Sequence, residues 1–171
     1  MEERFRFVTM RGKPLTLVGN EVKIGQMAPD FVVIDNNLNP VVFLSYRGKI
    51  CIISSVISLD TPVCDTQTRK FSEEASRLGP NVMILTISMD LPFAQKRWCG
   101  AAGVNRLQTL SDHRDASFGM AYGVLIKELR LLARAVFLVD QKGVLQYKEL
   151  VQEVTSEPDY NGILNQLKRL M

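Results

Sequence analysis

Histidine and cysteine are scarce: the chain has one histidine and three cysteines in 171 residues. No Cys-x-x-Cys and no histidine pair offers ligand spacing, so no metal site is expected. No phosphate-binding glycine loop is present either, since "GAAGVNR" lacks the lysine and the spacing. Charge of one sign is equally thin. The formal net charge is +3, no long run of like charges occurs, and no basic stripe interleaves with aromatics, so a nucleic-acid partner is not indicated. No stretch reaches the ~18 apolar residues that a membrane helix needs. The N-terminal "MEERFRFVTM" carries two glutamates and no apolar run of signal-peptide length. A cytoplasmic protein is expected. Three cysteines are too few for a disulfide scaffold, and in a reducing compartment any disulfide among them would be transient and catalytic or sensory.

What is present reads as one domain spanning 1–171, with no repeat, low-complexity tract or linker to divide it. A chain of this length buries roughly 70% of its unfolded surface. Phe5 and Phe7, then Leu15 and Leu17, alternate around Arg11-Gly12-Lys13, which predicts an N-terminal β-hairpin over 1–18. "FVVIDNNLNPVVFL" repeats the form. "KICIISSVIS" is apolar on both faces, as a fully buried strand is, and Cys51 inside it reads as a core filler. A helix is expected from 61 to about 78, with Asp65/Arg69 and Glu73/Arg77 as four-apart pairs. "VMILTIS" is a second buried strand, followed by a helix over 91–102 capped by Asp90 with Pro92 in its first turn. "RLQTL" suggests a short strand, 115–122 a brief helix stopped by Gly123, and "AVFLVDQKGVLQYKEL" a hairpin. The last helix opens at Ser156-x-x-Asp159, a capping-box pattern. "IKELRLLARA" is read as a loop entering the next strand. The order gives an α/β fold with a mixed sheet covered by helices.

The stretch "SLDTPVCDTQTRKF" carries the chemistry. Thr61 suits the N-cap and Pro62 the first helical position, so Cys64 falls in the first turn among unpartnered N–H groups. The positive end of the helix dipole favours a thiolate there, and the Thr61 hydroxyl, three residues back, can reach the sulfur. Asp60 and Asp65 oppose ionisation. Arg69 can neutralise Asp65, but Asp60 has no local partner, so a cation from elsewhere is required. Arg134 in "LLARAVFLV" is the candidate, because a guanidinium among apolar residues is seldom buried without an anion to meet. An elevated thiolate fraction alone does not give fast chemistry; polarisation of the substrate by Thr61, Arg134 and the first-turn N–H groups would have to add to it. Spacing alone leaves an inert Cys64 behind a capped helix equally open.

"SLDTPVCDTQTRKF", "DLPFAQKRWCG", "TLSDHRD", "AYGVLIKELRLLARAVFLVD" and "EPDY" together resemble the thiol peroxidases, a group of atypical two-cysteine peroxiredoxins, in order and over nearly the whole chain. The resemblance implies a thioredoxin-like fold, reduction of hydrogen peroxide and organic hydroperoxides without a cofactor, thioredoxin as reductant, and a homodimer. It implies that Cys64 is the peroxidatic cysteine, that Cys99 is the resolving one forming a redox-active Cys64–Cys99 disulfide, and that Thr61 and Arg134 activate Cys64. Two positions depart from the pattern: Ile57 stands where peroxiredoxins usually have proline, and Pro62 where this group commonly has glycine.

A disulfide needs Cα atoms within about 7 Å, whereas Cys64 begins one helix and Cys99 nears the end of another, across a strand. The two are expected to be too far apart when reduced, and both segments to unwind in each cycle, aided by Gly100 and Gly103. Without the resemblance, Cys99 reads as a buried helix-face cysteine beside Trp98. A Cys-His hydrolase using Cys64 and His113 and a non-catalytic thioredoxin-like binding module are the alternatives. His113 otherwise reads as a solvated loop residue in "SDHRD". "LIKELRLL" and "FGMAY" are the apolar candidates for a contact surface between subunits.

Overall fold

Residues 2–103 and 107–171 are described in the computed structural model. The N-terminal hairpin forms as expected from β1 (Glu3–Met10) and β2 (Lys13–Val18), turning through Gly12 at φ +76°. Leu15 and Leu17 face inward, but Phe5 and Phe7 do not: they are 68% and 46% exposed, and Arg4 and Val8 are buried instead. The pairing is irregular between Arg4 and Val8, where Arg6 adopts φ +59°. The turn pairs Met10 with Lys13, so Val8 and Arg4 stand opposite Leu15 and Leu17 and share their inward face. The two extra residues taken up at the irregularity leave that alternation intact and the odd-numbered phenylalanines outside.

The main sheet has seven strands among the described residues, ordered β11-β10-β5-β6-β7-β3-β4. These are β3 (Val32–Ile34), β4 (Pro40–Val42), β5 (Ile50–Ser55), β6 (Val82–Ser88), β7 (Gln108–Ser111), β10 (Ala135–Val139) and β11 (Leu145–Leu150). β5, β6 and β7 run parallel and the remaining pairs antiparallel. Parallel neighbours need crossovers. Helix α1 (Pro62–Arg77) links β5 to β6, and α2 (Pro92–Ala102) links β6 to β7. β5 is buried along its whole length, as its composition predicts. Ile50 and Ile52 join Phe71 of α1 and Ile163 and Leu167 of the last helix, α4 (Tyr160–Leu170), on one side. Cys51 and Ile53 enter the cluster on the other side, where Phe31, Phe118, Tyr122 and Phe137 stack edge to face.

Several local expectations are corrected. "IKELRLLARA" is not a plain loop: β8 (Leu125–Ile126) and β9 (Leu131–Leu132) extend the N-terminal hairpin into a four-stranded sheet ordered β1-β2-β8-β9. Two-residue strands are too short to leave a period in the sequence. Arg77 pairs with Glu74 at 3.3 Å rather than with Glu73. The cap of α4 is Asp159, whose carboxylate accepts from Gly162 N, and not Ser156. The cap position of α2 is Leu91 without a side-chain bond, because Asp90 accepts from Ser58 Oγ at 2.7 Å and Leu59 N at 2.8 Å instead. The brief helix, α3, is Ser117–Ala121 and precedes Gly123 at φ +65°. The "RLQTL" strand begins at Gln108; Arg106 lies outside the described residues. "FGMAY" offers no subunit surface through its rings, since Phe118 and Tyr122 are buried in the core. In "LIKELRLL" only Leu129 is an exposed large apolar residue.

Candidate active site

Thr61 caps α1 with extended geometry (φ −90°, ψ 144°), and Pro62 fills the first helical position. Cys64 follows with its backbone N–H donating to Thr61 Oγ1 at 3.3 Å. The sulfur has no solvent exposure. Arg134, one residue before β10 and itself only 1% exposed, points Nη2 at this sulfur from 3.3 Å. The sequence asked for an anion to meet a buried guanidinium, and Cys64 stands in that place.

Arg134 is held from two further directions. Its Nε donates to the Val154 carbonyl at 2.9 Å and its Nη1 to Gln67 Oε1 at 2.5 Å. Gln67 is fixed in turn by its Nε2 donating to Ser54 Oγ at 2.7 Å, on β5. Sequence reasoning missed Gln67. Its signal was available: it lies three residues after Cys64, on the buried face that continues to Phe71, where an amide needs a partner. The Val154 carbonyl left no side-chain signal to find. Glu157, in "EPDY", is held below the usual carboxylate range, first by the hydrogen bond from Lys70 and then by that from the Tyr160 hydroxyl, with the charge of Arg134 adding to both.

Thr61 does not do all that the sequence suggested. Its hydroxyl proton goes to the Ser58 carbonyl at 3.2 Å while its oxygen accepts from Cys64 N. It orders the turn and does not bond the sulfur. Asp65 is neutralised as expected, with Arg69 Nε at 2.8 Å, and Asp60 stays exposed.

A cleft of ≈ 550 Å³ opens over this turn. Ile57, Thr61, Pro62, Val63, Arg134 and Val154 line it, with Met10 and Arg11 of the N-terminal hairpin forming another wall. Ile57 is buried and presents an aliphatic face where proline would have done so. The cleft therefore reaches the guanidinium and the cap while the sulfur lies behind them.

The other two cysteines are set differently. Cys51 is buried in β5, and burial pushes its thiol up to about 12. Cys99, on α2, is partly exposed and shares a 3.3 Å hydrogen bond with Thr109 Oγ1 on β7, which also engages Asn36. All three are free thiols. β10 and β7, beside the partners of Cys64 and Cys99, are separated by β5 and β6. At strand spacings of ~4.8 Å these strands lie roughly 14 Å apart, and Cys64 and Cys99 are not joined. His113 bonds Ser111 Oγ through Nδ1 at 2.8 Å and takes no part at Cys64, which leaves a Cys-His dyad without its geometry.

The redoxin family matches residues 23–164. The thiol peroxidase of Bacillus subtilis (strain 168) is 54% identical over 164 residues, covering 96% of this chain and 98% of that protein. The thiol peroxidase of Halalkalibacterium halodurans is 55% identical over 161 residues, covering 94% and 96%. Among solved structures, a peroxiredoxin-like protein from Aquifex aeolicus superposes with a TM-score of 0.90 at 41% identity, covering 97% of this chain and 98% of that one. The mixed sheet and its helices are thus the thioredoxin-like arrangement. Sequence identity above half, sustained from the hairpin to the last helix, means that the chain belongs to the redoxin family and, within it, to the thiol peroxidases.

Proposed function

We propose that this thiol-dependent peroxidase reduces hydroperoxides through Cys64 as the peroxidatic cysteine and Cys99 as the resolving one. The carrying observation is the buried guanidinium of Arg134, 3.3 Å from a fully buried sulfur at a helix start. A guanidinium at that distance is placed to pair with the sulfur as it attacks. The thiolate attacks the terminal peroxide oxygen; the O–O bond breaks, the leaving oxygen departs as alkoxide or hydroxide and is protonated from solvent, and the sulfur becomes a sulfenic acid. Arg134 carries five N–H groups, three of which are engaged by Val154, Gln67 and Cys64. Two remain for the developing negative oxygen. The second lone pair of Thr61 Oγ1 is free to accept the peroxide proton, which orients the substrate.

Cys99 then condenses with the sulfenic acid, releasing water and forming the intrachain disulfide. A thioredoxin-type dithiol returns both cysteines to thiols. No other cofactor enters the cycle. A cytoplasmic enzyme and a homodimer are what the resemblance to the thiol peroxidases implies, and light scattering of the purified protein tests the dimer.

Mass spectrometry before and after one equivalent of peroxide tests the cycle. The oxidised protein is expected to lose two hydrogens and yield a 64–99 linked peptide, with Cys51 unmodified. In Cys99→Ser the sulfenic acid at Cys64 is expected to be trapped. Peroxide consumption that survives Cys64→Ser would end this reading, as would loss of activity on replacing His113 with the Cys64 chemistry intact.

A further inference from the structure

The residue after Cys64 and the residue before Cys99 are bonded to each other. Trp98 Nε1 donates to Asp65 Oδ1 at 2.9 Å. The other oxygen of the same carboxylate accepts from Arg69 Nε at 2.8 Å, Arg69 Nη1 reaches the Ala102 carbonyl at 3.3 Å, and its guanidinium lies 5.7 Å from the centre of the Trp98 ring. Besides these bonds, the second half of α2 is fastened by the half-buried Trp98 ring against the core and by Cys99 on Thr109. Its buried residues are Pro92 and Gln95, both in the first half, and its end is closed by Gly103 N bonding the Cys99 carbonyl.

Resting on the peroxidase reading above, we propose that Asp65, Arg69 and Trp98 form a clasp that sets the fate of the Cys64 sulfenic acid. With the clasp closed, Cys99 stays on Thr109 and the sulfenic acid stays beside Arg134, open to a second hydroperoxide. That second attack transfers one oxygen to sulfur, giving the sulfinic acid and releasing water or alcohol. With the clasp open, the segment bearing Cys99 is free to leave Thr109 and condense, releasing water. Closure therefore favours over-oxidation and opening favours the disulfide. The three side chains are positioning residues, acting through the helix that carries Cys99.

Trp98→Phe removes the indole N–H and keeps an aromatic ring; Arg69→Gln leaves Trp98 in place. Rapid mixing with one equivalent of peroxide, acid quenching and alkylation give the rate of disulfide formation, and excess peroxide gives the sulfinic fraction. Each variant is expected to form the disulfide about fivefold faster, the scale of one partly screened hydrogen bond to a charged group, and to show a correspondingly smaller sulfinic fraction. Arg69→Lys, which can still meet Asp65, should fall between Arg69→Gln and the native chain. Sulfenic acid formation, followed in a Cys99→Ser background, should be unchanged in Trp98→Phe, which keeps the Arg69–Asp65 pair beside Cys64. Trp98 is the chain's single tryptophan, so its fluorescence in Arg69→Gln should change with the rate constant of the faster disulfide step. Native disulfide rates in both Trp98→Phe and Arg69→Gln would overturn the clasp. Absence of any peroxide-dependent disulfide in the unmodified chain would instead overturn the cycle on which it rests.

Discussion

Replacing Arg134 separates two contributions that the guanidinium makes at once. A unit charge 3.3 Å from a thiolate sulfur interacts with about 5 kcal/mol at an effective dielectric of ~20, before the cost of burying both ions is subtracted. The planar fork adds donors for the leaving oxygen, and loss of one such donor costs about 2.7–4 kcal/mol, or 10²–10³ in rate. Arg134→Lys keeps the charge, but a tetrahedral ammonium cannot span Val154, Gln67 and Cys64 together. Arg134→Met loses both and leaves the Val154 carbonyl and Gln67 Oε1 unpaired, at roughly 1–3 kcal/mol of stability each. Stopped-flow measurement of sulfenic acid formation in a Cys99→Ser background isolates the first chemical step. The expected order is native, then lysine slower by about 10²-fold, then methionine slower by about 10³-fold or more. Thermal unfolding of each variant, measured alongside, separates lost chemistry from lost fold. Two folded variants that both react within about threefold of the native chain would refute the role assigned to Arg134, since ~0.7 kcal/mol is less than any one of its bonds is expected to contribute.

Gly100 lies mid-helix in α2 with open space where a Cβ would go, so Gly100→Ala should stabilise α2 by about 1 kcal/mol and slow disulfide formation about fivefold; a faster disulfide would show that α2 need not loosen. Cys51, with its thiol pushed up to about 12 by burial, should resist iodoacetamide at neutral pH in the folded protein and react at once in denaturant, as peptide mapping would show. Glu153 is held down at about 2, chiefly by the Thr155 and Thr9 hydroxyls and then by the Gly12 and Arg11 amides. A carboxyl lowered in the folded state contributes stability above its unfolded value, lost as pH falls. The Arg11 and Gly12 amide resonances should therefore stay fixed down to about pH 4.5 and shift as pH approaches 2, whereas Glu153→Gln should display the acid positions at neutral pH.

Legibility followed the range over which each feature is specified. The strand β5, the capped start of α1 and the two-glycine end of α2 are local patterns of composition and punctuation, and Thr61, Pro62 and Cys64 were readable from them. Arg134 was readable one step further out, because an isolated charge in an apolar run demands a partner even when the partner is unknown. The partner's other fastenings were not. Val154 contributes a backbone carbonyl, which any residue would supply, and Gln67 announces itself only once the inward face of α1 is known. The same limit explains Phe5 and Phe7: alternation was present, but the turn register that pairs Met10 with Lys13 sets Val8 and Arg4, not the phenylalanines, opposite Leu15 and Leu17. Asp90 was mistaken for a helix cap because it has a cap's identity and position, while its carboxylate braces the Ser58–Leu59 turn before Cys64 instead.

The two cysteine-bearing helices are fastened so unequally that they cannot share the unwinding equally. α1 buries Cys64, Gln67, Thr68 and Phe71. Melting its first turn would also strip Arg134 of the Cys64 sulfur, and a buried guanidinium left short of a partner costs several kcal/mol. α2 buries only Pro92 and Gln95, has no side-chain N-cap bond, and carries Gly100 in its exposed interior. The sequence pattern leads to unwinding of both segments; the unequal packing leads us to expect that α2 loosens more readily than α1. Amide exchange distinguishes these cases in the reduced protein. Amides 98–102 should exchange through openings at least about tenfold more populated than those of 66–71, equivalent to ~1.4 kcal/mol. Equal protection in the two helices, or weaker protection in α1, would mean that the Cys64 turn travels to Cys99 and that Arg134 releases its anion in every cycle.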